Sequence, residues 1–530
     1  MRISVSRWIV AFALAAAELS SARGAAAQVR TSSGEVRGTT NRAGTVHTFT
    51  GIPYAAPPVG ALRWQAPRAP ASWTGVRDAT AFGARCAQAP VFSDMIFRDV
   101  LSEDCLYLNV WTPATGATAR LPVMVWIYGG GFQAGSSSEP RQDGERMAGK
   151  GVVVVSFNYR MGVFGFLAHP ELTSESGHAA SGNFAMMDMV AALQWVQQNI
   201  AAFGGDAGNV TIFGESAGSF AVSGLMASPL AKGLFHKAIG ESGAFFGSTL
   251  DPVTLAAAEQ SGSALGQALG ATTLAAMRAV PADSVLTAAR SMGSRGFGPI
   301  IDGYVFPRRV DAIFASGQQQ PVPLLAGWNA DEIRSSATLA KVKPTVTSFT
   351  SRVRAQFGTQ ADAVLAAYAA RDDNDAVESA AALGNDQFIS FGTWKWIETH
   401  RATSGAPAYR YLFARQIPIP PNTVVNGNPA TARDVGARHA GEIEYVFGAL
   451  ASVPGVTWEK SDEALSELMM LYWTNFARAG DPNGPGLPTW PRYESRAGNP
   501  VMRLDVTSAA VGERFRERYE ALDRATSRTP

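Results

Sequence analysis

The chain has 530 residues, 46% apolar and 17% charged, enough for a large core and too sparsely charged for a disordered chain. Its 45 basic and 44 acidic residues nearly cancel, so net charge gives no argument for nucleic acid or anionic lipid as a partner. Function has to be read from local motifs.

Arg2 and Arg7 precede an apolar run from Trp8 to Ala17, and Ala25-Ala26-Ala27 follow before Gln28. A basic start, a short apolar centre and a small-residue end are the pattern of a secretory signal peptide. The run is about half of the roughly 20 residues that a spanning helix needs. Residues 1–27 are therefore expected to be a signal peptide and residues 28–530 a single domain, periplasmic or secreted, with no membrane span. Cleavage after Ala27 removes three Arg and one Glu and leaves 42 basic and 43 acidic residues. Cys86 and Cys105 fit export: they form no Cys-x-x-Cys pair and join no Cys/His cluster. In an oxidising compartment they are expected to form a disulfide, the alternative being two buried free thiols.

Leu106 to Trp111 alternates like a strand with one drier face. Pro122 to Tyr128 and Val152 to Phe157 are continuous apolar runs rich in β-branched residues, as in strands covered on both faces. Glu139 to Lys150, between them, reads as turn. Met186 to Ile200 carries apolar residues three or four apart, with Asn183 placed to cap a helix. After a turn at Gly204-Gly205-Asp206, Asn209 to Phe213 reads as a strand, Gly214 to Ser219 as a sharp turn, and Phe220 to Met226 as a helix. Further on, residues 251–292 and Val353 to Ala380 read as helical, Leu324 to Gly327 and Tyr409 to Phe413 as strands, and Ala464 to Ala479 as a helix. The tail after Gly512 reads as a solvated helix or a frayed end. Strands alternating with helices imply a mainly parallel sheet in an α/β fold.

Gly214-Glu215-Ser216-Ala217-Gly218 is a G-x-S-x-G sequence between a strand and a helix. Glycines flank such a serine because the tight turn leaves no room for side chains two positions away. A serine hydroxyl needs a base to take its proton and donors to hold the resulting oxyanion. Gly129-Gly130-Gly131 follow a buried strand, and the amides of Gly130, Gly131 and Ala217 are the expected oxyanion donors. A phosphate-binding loop is the rival reading, but no Gly-Lys-Ser/Thr follows.

With Gly51-Ile52-Pro53-Tyr54-Ala55, Ser102-Glu103-Asp104-Cys105-Leu106, Phe203-Gly204-Gly205-Asp206 and the run from Asn209 through Gly218, the chain resembles the type-B carboxylesterases. This family has the α/β-hydrolase fold and includes the cholinesterases and bacterial para-nitrobenzyl esterases. The resemblance extends from about Val29 to Tyr519. It implies a large twisted sheet flanked by helices, with helical and loop insertions forming the pocket.

In that fold the chain order is nucleophile, acid, histidine, which leaves His236, His400 and His439 after Ser216. His236 follows too closely to admit an acid strand, and His400 sits in a helix-like stretch. His439, in the loop Gly436 to Gly441, is the expected base, and the resemblance points to the same residue. Asp331 and Glu332 both follow a strand; the resemblance selects Glu332 as the acid, with Asp331 left as the alternative. Ile333 stands where the family has glycine, so the turn there is expected to differ. Ser242 resembles a supporting serine; His169 and Asp302 read as structural. Phe132, Phe245, Phe246 and Phe297 are either pocket or core. Asn209-Val210-Thr211 matches a glycosylation acceptor inside a strand and is read as fortuitous.

The sequence thus points to a carboxylic-ester hydrolase acting on a small-molecule ester through Ser216, His439 and Glu332, with no metal, organic cofactor or nucleic acid. An amide or carbamate hydrolase with the same triad, or a non-catalytic adhesion protein, are the alternatives. Acyl preference and oligomeric state are not legible.

Overall fold

The structure, a computed structural model, describes residues 27–92, 95–114, 116–293 and 297–526. The signal-peptide reading falls on residues 1–27 and so lies almost wholly outside them. Among the described residues, eleven strands form one sheet: β1 Thr39–Thr40, β2 His47–Pro53, β3 Tyr107–Thr112, β4 Leu121–Ile127, β5 Val153–Phe157, β6 Gly205–Glu215, β7 Lys237–Glu241, β8 Leu324–Asn329, β9 Ala408–Phe413, β10 Pro500–Leu504 and β11 Ala509–Gly512. The order across the sheet is β11-β10-β9-β8-β7-β6-β4-β5-β3-β2-β1. From β10 to β5 every neighbouring pair is parallel, and the pairs at both margins are antiparallel.

Burial explains the apolar runs. Val123 to Ile127 and Val153 to Val155 are fully buried, because helices cover both faces of the parallel strands. Against the strands pack α1 Phe184–Asn199 and α2 Ala217–Ala227, and the chain goes on to form α3 Leu255–Ala268, α4 Leu274–Ala279 and α5 Ala282–Ser291 away from the sheet. They are joined by α6 Val346–Phe357, α7 Ala361–Ala367, α8 Asp373–Asn385, α9 Phe391–Ser404, α10 Lys460–Ala479 and α11 Arg516–Thr526. A π turn, Asp386–Ser390, joins α8 to α9. Helix α2 is buried on all sides, which explains its almost uniformly small and apolar sequence.

Several local readings change. Val353 to Ala380 is not one helix: Gly358, at φ +52°, ends α6, and the chain breaks again before α8. Helix α2 begins at Ala217, inside the stretch read as turn. Glu145–Ala148 forms a short helix where turn was expected. Asn183 does sit at the start of α1, but its side chain donates to the Ile300 carbonyl at 2.7 Å and accepts from the Ile300 amide at 3.0 Å instead of capping. The C-terminal helix α11 is not merely solvated, since Tyr519 and Leu522 are buried. His400 is wholly buried, packed edge-on against Phe314, and Asp302 closes a turn by accepting from the amides of Tyr304 and Phe306. No helix among the described residues is long and apolar enough to cross a membrane.

Cys86 and Cys105 are disulfide-bonded and close a loop across 19 positions. A Cys86→Ser/Cys105→Ser variant is expected to lose about 3 kcal/mol of stability, the loop-closure value for this length. The check is a lower urea midpoint relative to the parent chain.

Candidate active site

The parallel strands deliver the chemistry at one end of the sheet. β6 ends in the serine turn, where the register sets Gly214 beside Ile127 of β4. A Cβ on Gly214 would sit 2.5 Å from the Ile127 carbonyl oxygen, and one on Gly218 would overlap that same oxygen. The two glycines therefore let the turn close over β4. Between them Ser216 is held at φ +53°, ψ −123°, a conformation that costs a non-glycine residue about 1–3 kcal/mol. Its amide donates to the Glu241 carbonyl at 2.9 Å, and its own carbonyl accepts from the Phe220 amide at 2.9 Å.

His439 arrives in the loop that follows α9 and β9, and its Nε2 lies 2.9 Å from Ser216 Oγ. Its Nδ1 lies 2.6 Å from Glu332 Oε2. Glu332 Oε1 accepts from the Asn329 amide at 2.8 Å, and the Glu332 carbonyl accepts from the His439 amide at 3.1 Å. The carboxylate is thus fixed at both oxygens. Asp331 is turned elsewhere: it accepts from the Ala437 amide at 3.0 Å and lies 3.7 Å from Arg334. Of the two acids, Glu332 reaches the imidazole.

The glycine loop lies across the serine turn. Gly130 and Gly131 have φ of +100° and +63°, and Phe132 continues the left-handed run at +59°. Space is open beside Gly131 for at least 4 Å in the direction a Cβ would take. Among the described residues, the amides of Gly130, Gly131 and Ala217 donate to no other group. The Ser216 amide is already committed to Glu241, so Ala217 supplies the free donor on the helix side.

Residues not picked out by sequence reasoning surround the imidazole. Buried Glu215, the second residue of the G-x-S-x-G sequence, places Oε1 3.4 Å from His439 Nε2. Glu442 accepts from Asn329 Nδ2 at 2.5 Å and from Ser242 Oγ at 3.4 Å, the one supporting contact anticipated for Ser242. Phe388, on the π turn, meets the His439 ring edge-on with centroids 5.1 Å apart. Phe132, Phe245, Phe246 and Phe297 are all buried, the first two stacked on each other. Phe297 also lines a cavity of about 380 Å³ with Gln133 and Leu286. His169 caps a short helix through the Glu171 amide, as a structural role requires.

These buried acids set the protonation of the site. Burial raises the pKa of Glu215 to about 7 even beside His439. Burial, then the charges of Glu215 and Glu332, raises that of Glu442 to about 8. Burial alone would lower the His439 pKa, but Glu215, Glu332 and Glu442 outweigh it and hold it at about 9. The arrangement is a serine hydroxyl, a histidine and a carboxylate in hydrogen-bonded series, facing open backbone donors.

The model of the carboxylesterase family matches residues 25–522 of the chain. The chain is 39% identical over 519 residues to a fumonisin B1 esterase of Sphingopyxis macrogoltabida, covering 93% of this chain and 91% of that one. It is 35% identical over 492 residues to the cocaine esterase of Homo sapiens, covering 85% and 82%. Among solved structures, it is similar to a carboxylesterase of Geobacillus stearothermophilus, at 33% identity and a TM-score of 0.79, with 93% of this chain and 99% of that one covered. A PNB esterase matches at 32% identity and a TM-score of 0.78, covering 94% and 100%.

The rate at which a fluorophosphonate labels Ser216 is expected to climb with pH as His439 loses its proton. Glu215→Gln removes a charge that stabilises the imidazolium and should move that climb to lower pH by roughly one unit. The measurement is labelling rate against pH for both proteins.

Proposed function

The chain belongs to the carboxylesterase family and is a carboxylic-ester hydrolase; on that premise we propose that Ser216, His439 and Glu332 are its catalytic triad. The carrying observation is the series of 2.9 Å and 2.6 Å contacts that links Ser216 Oγ through His439 to Glu332. Ser216 Oγ attacks the ester carbonyl carbon while its proton passes to His439 Nε2. The carbonyl oxygen becomes an oxyanion held by the amides of Gly130, Gly131 and Ala217. Each such donor contributes about 3 kcal/mol to the transition state.

The bond to the alcohol oxygen then breaks, and that oxygen takes the proton from His439 Nε2. Water adds to the acyl-enzyme, again giving its proton to His439, and the carboxylic acid leaves as Ser216 recovers its hydrogen. Glu332 holds the Nδ1–H tautomer throughout and stabilises the imidazolium. Among the four aromatic candidates, Phe297 has the best claim to border a substrate pocket, since it faces the cavity beside the glycine loop.

We further propose that residues 1–27 are a signal peptide and that the remainder is one catalytic domain, periplasmic or secreted. The disulfide supports this reading, since such bonds persist in oxidising compartments. The substrate is a small-molecule ester. Fumonisin B1 is the first natural compound to try, because the relative named for it is 39% identical to this chain over 519 residues.

Hydrolysis of para-nitrophenyl esters of graded acyl length is expected, with Ser216→Ala slower by roughly 10⁴- to 10⁶-fold. Near-normal turnover by that variant would reject the assignment.

A further inference from the structure

The stretch from Ala330 to Arg334 carries Glu332, and its support is uneven. On one side it is tied to the sheet and to the histidine loop: the Ala330 amide donates to the Phe413 carbonyl at 2.8 Å, and the Asp331 amide to the Ala437 carbonyl at 3.1 Å. On another it borders a cavity of about 610 Å³, lined in part by Ala330, Asp331, Arg334 and Asn385. Close packing cannot hold the loop on that side, so what restrains it there must be specific.

Arg334 at the end of the stretch is tied to Glu378 of α8 by hydrogen bonds of 2.6 and 2.7 Å, and Asn385 supplies the restraint on the peptide groups themselves. Its Oδ1 accepts from the Ile333 amide at 2.8 Å, and its Nδ2 lies 3.4 Å from the Ala330 carbonyl oxygen. One buried side chain thus spans both peptide groups that flank Asp331 and Glu332. Ile333 packs beside the neighbouring Gly384, its Cδ1 3.4 Å from where a Cβ on Gly384 would stand, an ordinary contact. The family has glycine at the position of Ile333, yet the backbone here does not need glycine's freedom, since Ile333 is not among the residues with positive φ.

Asn385 is the last residue of α8, and the π turn begins directly after it. A π turn inserts one extra residue into a helix and shifts the phase of the helical residues beyond it. Phe388 lies on that turn, edge-on to the His439 ring. The same few residues therefore touch both the acid loop and the imidazole.

We propose that Asn385 is a positioning residue for the triad: by bridging Ala330 and Ile333 it fixes Glu332 against His439, with Phe388 of the adjoining π turn bearing on the other partner. The proposal rests on Glu332 being the triad acid. His439 is faced by Glu215 from the serine turn, Glu332 from the acid loop and Glu442 from its own loop. Loosening Glu332 alone leaves the other two in place, so the expected effect is graded.

The test is kcat/KM against pH for the full chain, normalised to Ser216 titrated with a fluorophosphonate so that unfolded protein does not count. Asn385→Ala is expected to lower kcat roughly ten- to hundredfold with KM nearly unchanged. It should also move the acid limb to lower pH, because a less well held carboxylate stabilises the imidazolium less. Asn385→Asp keeps an acceptor for the Ile333 amide and adds negative charge, so it should retain most of kcat and move the limb to higher pH. A purely structural role would change the titrated fraction and leave the limbs of the active fraction where they were. An Asn385→Ala limb coinciding with the parent's would overturn the proposal. Should Asn385→Ala not fold, Asn385→Ser, which also removes the bridge and adds no charge, is read by the same criterion. Glu332→Gln is run alongside: a large loss there with unmoved Asn385 variants rejects only the positioning role, whereas near-parental activity of Glu332→Gln rejects the acid assignment beneath it.

Discussion

The carbonyl oxygen of Ile127, at the end of β4, is the closest steric constraint in the molecule's working end. Gly214 and Gly218 pass on either side of it with no space for a methyl group, and the serine turn can close only because both lack one. Ser216 then has little choice of backbone angle. Its positive φ is stabilised by the bond from its amide to Glu241 and by the first turn of a helix whose surroundings are entirely protein. The same closure uses up the Ser216 amide and leaves that of Ala217 free, so one packing requirement decides both where the hydroxyl points and which donor remains.

Electrostatics build on that geometry. Four glutamates, Glu215, Glu241, Glu332 and Glu442, are buried near one imidazole. Trp473 Nε1 donates to Glu241 at 2.8 Å, and Asn329 serves both Glu332 and Glu442. Glu215 Oε1 accepts no hydrogen bond from the described residues and has His439 Nε2 as its ionic neighbour. Burying so much negative charge is unfavourable unless a proton or a cation shares the site. A positive His439 satisfies that need, and in the proposed mechanism the imidazolium formed by proton transfer meets an environment already arranged for it.

How much of this could be read beforehand depended on how local each signal was. β4, β5 and β8 were legible because strands covered on both faces need unbroken apolar runs. Ser216 was legible from its glycines, and His439 from chain order, a loop setting and the family resemblance. Glu215 was passed over because the motif treats its position as variable; its significance lies in a contact with a residue more than two hundred positions away. Glu442 and Asn385 were missed for the same reason. The π turn leaves no periodicity to detect, since a single inserted residue looks like noise in an apolar pattern. The break at Gly358 was hidden by the alanine-rich segment that follows it, which favours helix. The side-chain arrangement of the long insertions, mainly residues 80 to 100, 245 to 300 and 340 to 430, was not legible because it depends on the elements they pack against.

The separations within the site also bear on how the chain acquires activity. The imidazole contacts a carboxylate 107 positions upstream and a hydroxyl 223 positions upstream. Each partner is carried by a different parallel strand or by the loop beyond one, so no hairpin or local helix pair can bring any two of them together. Such distant pairings carry the largest loop-closure cost and form late in folding. A collapsed intermediate with most of its helices in place would bury the core and still lack a working site. Turnover in a refolding chain therefore marks completion of the sheet from β6 through β9, not the onset of compaction.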